Sequence, residues 1–302
     1  MPLKKIAISI ALVLLPISIV LYEYWRNQAQ ESQVHLDAFL DDPPANQFPY
    51  DWNEKLNLDH KVLSGKVVDE FTGVAFKKKV SSDHDNNLIK LAEYLKMRHG
   101  RQGHRAALQE FNWRGIPQAN VIARIAGTLE PQKNKPIIIA DHLDSSDMNS
   151  AKSTAAILRL SELLGEFELR HDIWFVHLTA KENPENSLGA RHFISQLKKT
   201  NEEIGAVLLM DSSRNRGVQL HLGKTSRSRK IVNLAYAGFE KYAPQLHPEI
   251  IDQSQIKNVM QNSDAWALDR MDYDVVLFNF DDKEISEIAK VIAGTALYLA
   301  QH

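Results

Sequence analysis

The chain has 302 residues, of which 44% are apolar and 25% charged, with a formal net charge of −2 and no cysteine. Disulfides, thiolate zinc sites and cysteine nucleophiles are therefore excluded, and the balanced charge leaves no electrostatic footprint for nucleic acid. The composition is that of an ordinary globular protein, with room for one large domain or two small ones.

In chain order, MPLKK precedes IAISIALVLLPISIVLY, residues 6–22, which carry no charge. A run of this length sits at the short end of a transmembrane helix, and Tyr22, Tyr24 and Trp25 suit an interfacial belt. A cleaved signal peptide would have a shorter apolar region and a small-x-small site, and no good site precedes Glu31. The expectation is an uncleaved anchor over residues 1–25, with Lys4 and Lys5 cytoplasmic and the rest outside the cytoplasm, periplasmic in a bacterium. Residues 26–60, with DDPPANQFP in their midst, read as a linker or irregular arm, and 61–302 as one domain.

Within that domain the apolar spacing of residues 85–100 predicts a helix closed by Gly100. NVIARIAGTL, 120–129, alternates in part and precedes a turn-like EPQKNKP. Strands are expected over 136–145, 171–180, 204–213 and 273–280. Helices are expected over 153–167, 187–199, 229–243 and from Lys283 to the end. Such alternation means an α/β fold around a mainly parallel sheet. KTSRSRK, 224–230, reads as a solvated basic loop.

Three successive strands end in chemistry-bearing residues: His142, Asp144 and Asp147 after the first, Lys181 and Glu182 after the second, Asp211 after the third. Parallel strands bring such ends to one edge of the sheet. Histidine with carboxylates is a plausible zinc set, and His-x-Asp can hold a carboxylate behind a ligating imidazole. His177, His192 and His221 read as structural: His177 as a core or edge histidine, the other two as structural or exposed.

The ordered segments NVIARIAGT, IIIADHLDS, NSAKSTAAILRLSELL, FVHLTAKENPENSLGARHFI, LLMDSS and NSDAWAL together resemble the zinc-dependent exopeptidases of the bacterial leucyl aminopeptidase type. That superfamily also includes glutamate carboxypeptidase, glutaminyl cyclases, and the non-catalytic nicastrin and transferrin receptor. The resemblance spans about residues 85–300 and implies a three-layer sandwich of the zinc-exopeptidase, phosphorylase/hydrolase-like kind. Active members hold two zinc ions with a bridging aspartate and a glutamate base. By that resemblance His142, Glu182 and Asp211 stand at ligand positions and Asp144 at the carboxylate behind the histidine.

Three positions depart from the pattern. Asn149 falls at the bridging aspartate, with Asp147 as a substitute where the shortened loop bends inward. Lys181 falls at the catalytic glutamate, and Ala265 at the last histidine ligand. A charged lysine cannot accept a proton from water, and its ammonium repels zinc. It can instead neutralise acids that would otherwise hold metal. The resemblance with these departures implies a peptidase-like protein that has lost its chemistry and serves in binding, toward a peptide or protein partner, with zinc weak or absent. The alternative is an active aminopeptidase with one zinc or a rearranged site. A glutaminyl cyclase would need Asn149, Glu182 and Ala265 as ligands, of which one survives.

Overall fold

The computed structural model describes residues 82–113, 115–143, 150–179, 187–212, 217–251 and 264–302. All of these belong to one compact unit, Pro44–His302. The expected anchor and arm lie outside the described residues, and among the described residues no helix is long and apolar enough to cross a membrane.

The described chain opens with helix α1 (Ser82–Arg101), followed by strands β1 (Arg105–Trp113), β2 (Ile116–Ile125) and β3 (Ile137–His142). Helix α2 (Ser150–Leu164), β4 (Ile173–Leu178), α3 (Leu188–Thr200) and β5 (Ala206–Ser212) follow. Then come β6 (Gln219–Leu222), α4 (Ser226–Tyr242), β7 (Glu249–Ile251), α5 (Asp264–Asp269), β8 (Val275–Phe280) and α6 (Ile285–Gln301). One eight-stranded sheet has the order β1-β2-β4-β3-β5-β8-β6-β7. Its centre, β4-β3-β5-β8, is parallel. The flanking pairs β1-β2, β2-β4 and β6-β8 are antiparallel.

The physical basis is visible in the central strands. Every residue of β3, β4 and β8 is buried, as a parallel sheet covered on both faces requires. One face carries α1, α2, α4 and α6, packed on Ile137, Ile139, Phe175 and Leu208. The other carries α3 and α5, packed on Ile138, Trp174, Leu209 and Leu277. These are the three layers. In α6, 12 of 17 residues are buried, so it is a core helix and not a half-wet one. Gly294 permits its close approach to α4, since a Cβ there would stand 2.5 Å from the Tyr242 ring.

The expected strands and helices all form, with ends shifted by a few residues. Strands β1, β6 and β7 and helix α5 are additions that the sequence pattern did not disclose. The basic run 224–230 is not a loop: Thr225 caps α4, its hydroxyl accepting from Ser228 N–H at 2.9 Å, and the basic residues decorate the first turn. A Thr before an apolar-periodic run is the usual helix-start signal.

Candidate functional site

The ends of β3 and β5 are neighbours on one edge of the sheet. Ala140 is level with Leu209, so His142 and Asp211 come level one pleat further on. His142 Nε2 lies 3.6 Å from Asp211 Oδ1, and both side chains are mostly buried. That is too long for a hydrogen bond. It suits two groups that share a third partner, as two ligands of one ion do. Asp211 is level with Asn279 of β8, so the polar row continues across the sheet. The structure places the side chains of His142 and Asp211 next to each other, as parallel neighbouring strands would.

Ala265 lies in α5, fully buried among Leu268 and Leu277. Its methyl is part of the apolar core and offers no donor. Among the described residues no group of three or more His, Asp or Glu could hold a metal ion. The described donors, His142 and Asp211, are short of the three that catalytic zinc keeps. Asp144, Asp147, Asn149, Lys181 and Glu182 fall in 144–149 and 180–186, outside the described residues.

The anchors of those two segments are well defined. On the α1/α2 face, Asp141 is completely buried. The Thr154 hydroxyl, on α2, donates to its Oδ2 at 2.6 Å, and His177 Nδ1, on β4, lies 2.6 Å from its Oδ1. His177 Nε2 faces His99 Nε2 of α1 at 3.0 Å. One proton must lie between those two nitrogens, and the carboxylate holds another on His177 Nδ1. Phe175 stacks on His99 at 5.9 Å between centroids and on His104 at 6.2 Å. Burial holds the His99 pKa well below its ordinary value, assisted by the neighbouring His177, His104 and Arg98; a Gln102 hydrogen bond opposes this.

The second segment is held from β2. Asn120 is fully buried. Its Oδ1 accepts from Thr179 N–H at 3.0 Å, and its Nδ2 donates to Gly189 O at 2.9 Å and Gln109 Oε1 at 2.8 Å. Thr179 and Gly189 flank residues 180–186, so one amide side chain grips both ends of the stretch carrying Lys181 and Glu182. A Cβ on Gly189 would stand 2.2 Å from Thr179 O, so only glycine fits. Ser187, just before α3, has a left-handed φ of 59°, a conformation that costs a non-glycine residue energy.

Of the histidines read as structural, His177 is in the core and belongs to the Asp141 network. His192 stacks on Phe111 at 4.6 Å. His221 is buried beside Leu277 and Ile251, and neither ring nitrogen has a hydrogen-bond partner. Burial lowers its pKa, while the charges of Asp211 and Glu249 pull the other way. Asp141, His99 and Asn120 are the residues that sequence reasoning missed. A usable signal existed: an Asp inside an otherwise apolar strand must be paired or coordinated if it is buried.

A covered, mainly parallel sheet with polar residues at its carboxyl edge defines an α/β protein with its candidate site at the strand ends. More particularly, this is the fold of the zinc-dependent exopeptidases, as solved structures show. The chain is similar to the LapA aminopeptidase of Legionella pneumophila, with 13% identity over 85% of this chain and 76% of that one, TM-score 0.57. A glutaminyl cyclase of Fimbriiglobus ruber matches at 15% identity over 84% and 96% of the two chains, TM-score 0.60. A leucine aminopeptidase precursor of Bacteroides thetaiotaomicron matches at 13% identity over 81% and 96%, TM-score 0.57. At these identities the likeness is one of fold. No family model matches the sequence, and no curated protein matches it.

Proposed function

We propose that this is a peptidase-fold protein that binds a peptide or protein partner without cleaving it, held by its N-terminal segment to a membrane with the domain outside the cytoplasm. The observation that carries the reading is Ala265, a methyl buried in the core at the position where the resemblance places the last histidine ligand. Lys181 at the base position supports it, because an ammonium accepts no proton. The apolar run 6–22 supports the anchor. Zinc, where present, would rest on His142 and Asp211 and be weakly held.

One observation favours an active zinc aminopeptidase as the second reading. His142 and Asp211 keep a ligand-like separation of 3.6 Å, which a further carboxylate from 144–149 or 180–186 could complete.

Elemental analysis separates the two. Full-length protein, purified in detergent without chelator and dialysed against zinc, is expected to retain much less than one zinc per chain and to leave aminoacyl substrates intact. One or two tightly held zinc ions with hydrolysis would overturn the binding reading. The role of Lys181 as a substitute for the metal has its own test. Lys181→Glu is expected to lower the melting temperature in the absence of zinc, because one more acid joins Glu182 and Asp211 where a cation is lost. An unchanged melting temperature would remove that role.

A further inference from the structure

The described residues hold a second constellation of titratable groups, on the opposite face of the strands that carry the candidate site. Asp141 and His142 are consecutive in β3, and consecutive strand residues point to opposite faces. His142 turns toward the α3/α5 face and the site. Asp141 turns toward α1 and α2, where it makes two hydrogen bonds of 2.6 Å. Each bond reaches a different element. Thr154 is in the second turn of α2, just beyond the segment 144–149. His177 is in β4, just ahead of the segment 180–186, and His99 of α1 backs it from below at 3.0 Å.

We propose that Asp141 is a positioning residue for the candidate site, setting the place of His142 from the other side of the sheet. The reasoning is mechanical. The last residue of a strand has one neighbour less to hold it than a central residue has. Beyond Ala140 the parallel pairing of β3 with β5 is no longer registered, whereas that with β4 runs on to His142. The end of β3 is therefore held by ladder pairing on the β4 side alone. Asp141 adds two holds to it: the His177 bond strengthens the β4 side, and the Thr154 bond ties the strand end down onto α2. Its two oxygens are engaged at right-sized distances by groups on two elements, so neither the twist of the strand end nor its height above α2 is free. The charge explains the residue type. A carboxylate can take the Thr154 hydroxyl on one oxygen and the His177 imidazole on the other, and such charge-assisted bonds are short and strong. His99 completes the arrangement by pinning the far nitrogen of His177, which fixes the ring plane. All three of Asp141, His177 and His99 are fully buried, so no water can replace a missing partner.

The inference rests on His142 belonging to the site. Its readout is the His142 ring itself, which reports whether or not zinc or peptide binds there. The experiment is heteronuclear NMR of the full-length protein in detergent, following the His142 ring cross-peaks and the Overhauser contact between that ring and Asp211. Three variants and one control are compared: Asp141→Ala, Asp141→Asn, Thr154→Val, and Leu164→Ala at the far end of α2. Asp141→Ala and Thr154→Val are expected to shift the His142 cross-peaks and weaken the contact with Asp211. Asp141→Asn is expected to restore most of both, because its oxygen can accept from Thr154 while its amide donates to His177 Nδ1 once that ring carries its proton on Nε2, toward His99. Leu164→Ala is expected to lower stability and leave the His142 signals in place. His142 signals unmoved in Thr154→Val and Asp141→Ala would overturn the proposal. So would an equal shift in Leu164→Ala, which would mean that any loosening of α2 disturbs the site. Where Asp141→Ala does not fold, Thr154→Val carries the same decision, since it keeps the Asp141–His177 pair.

Discussion

The two faces at the carboxyl end of the sheet make opposite use of the same residue types. On the α1/α2 face a carboxylate and two imidazoles are completely buried and bonded in series, at 2.6 and 3.0 Å. On the α3/α5 face an imidazole and a carboxylate stop at 3.6 Å, and the nearby His221 has no partner on either nitrogen. Both sets come from adjacent strands, so strand geometry is common to them. What differs is spacing. The first set is joined by short hydrogen bonds and acts as structure, although His99 Nδ1 at its outer end has no hydrogen-bond partner. In the second, His142 and Asp211 stop short of a hydrogen bond to each other, and the unspent capacity is that of the buried His221 ring.

The sharpest way to break this comparison is to remove one carboxylate or imidazole from each face. Asp141→Ala leaves His177 and Thr154 buried without their acceptor and is expected to cost about 3–5 kcal/mol. His142→Ala is expected to stay within about 1 kcal/mol of the parent, because functional positions are rarely optimised for stability. Urea denaturation of both variants checks this. Equal losses would mean that the site face is as structural as the other.

Acid sharpens the contrast next. His99 has its pKa held well below the ordinary 6.5 by burial and by the neighbouring His177, His104 and Arg98. The unfolded chain therefore takes up a proton near pH 6.5 that the folded chain refuses. Unfolding is favoured as the pH falls, so this contribution is fully present above about 6.5 and declines below it, by about 1.4 kcal/mol per pH unit for one proton. His104, His171, His192 and His221 are also lowered by burial and add with the same sign. Urea midpoints measured from pH 8 to about 5 are expected to fall, and His99→Gln is expected to flatten the slope by about one proton. An unchanged slope would mean that His99 does not carry the acid sensitivity of its face.

What the sequence disclosed follows from the same contrast. The central strands were legible because β3, β4 and β8 are continuous apolar runs, and their parallel neighbourhood followed from the alternation with helices. His142 and Asp211 were legible because polar residues ending such runs stand out. Asp141 was not singled out, because one position ahead of His142 it reads as part of the same polar strand end; only its contacts show that it faces the other way. His99 closes a helix with Arg98 and Gly100 and reads as a C-terminal basic residue, yet it is the base of a network reaching two strands. Asn120 opened an expected strand without a visible purpose, and its grip on Thr179 and Gly189 spans 59 and 69 residues, a separation that local pattern cannot report. Strands β6 and β7 are four and three residues long, too short for alternation to show.

His221 gives the smallest effect and the most direct test of unspent capacity. It is buried on the site face against Leu277 and Ile251, with both ring nitrogens unpaired. Burying a polar ring without a partner costs free energy, and replacing it with an apolar residue of similar volume is neutral or favourable. His221→Leu is therefore expected to stabilise the protein by about 1 kcal/mol, seen as a rise of a few degrees in melting temperature. A retained partner-binding activity in that variant would make His221 a relic in the wall of the site. Lost binding with gained stability would show that the ring is kept, at a cost, for what it meets there. Lost stability would mean that the imidazole contributes to packing in place, and the contrast between the two faces would rest on the 3.6 Å spacing of His142 and Asp211 alone.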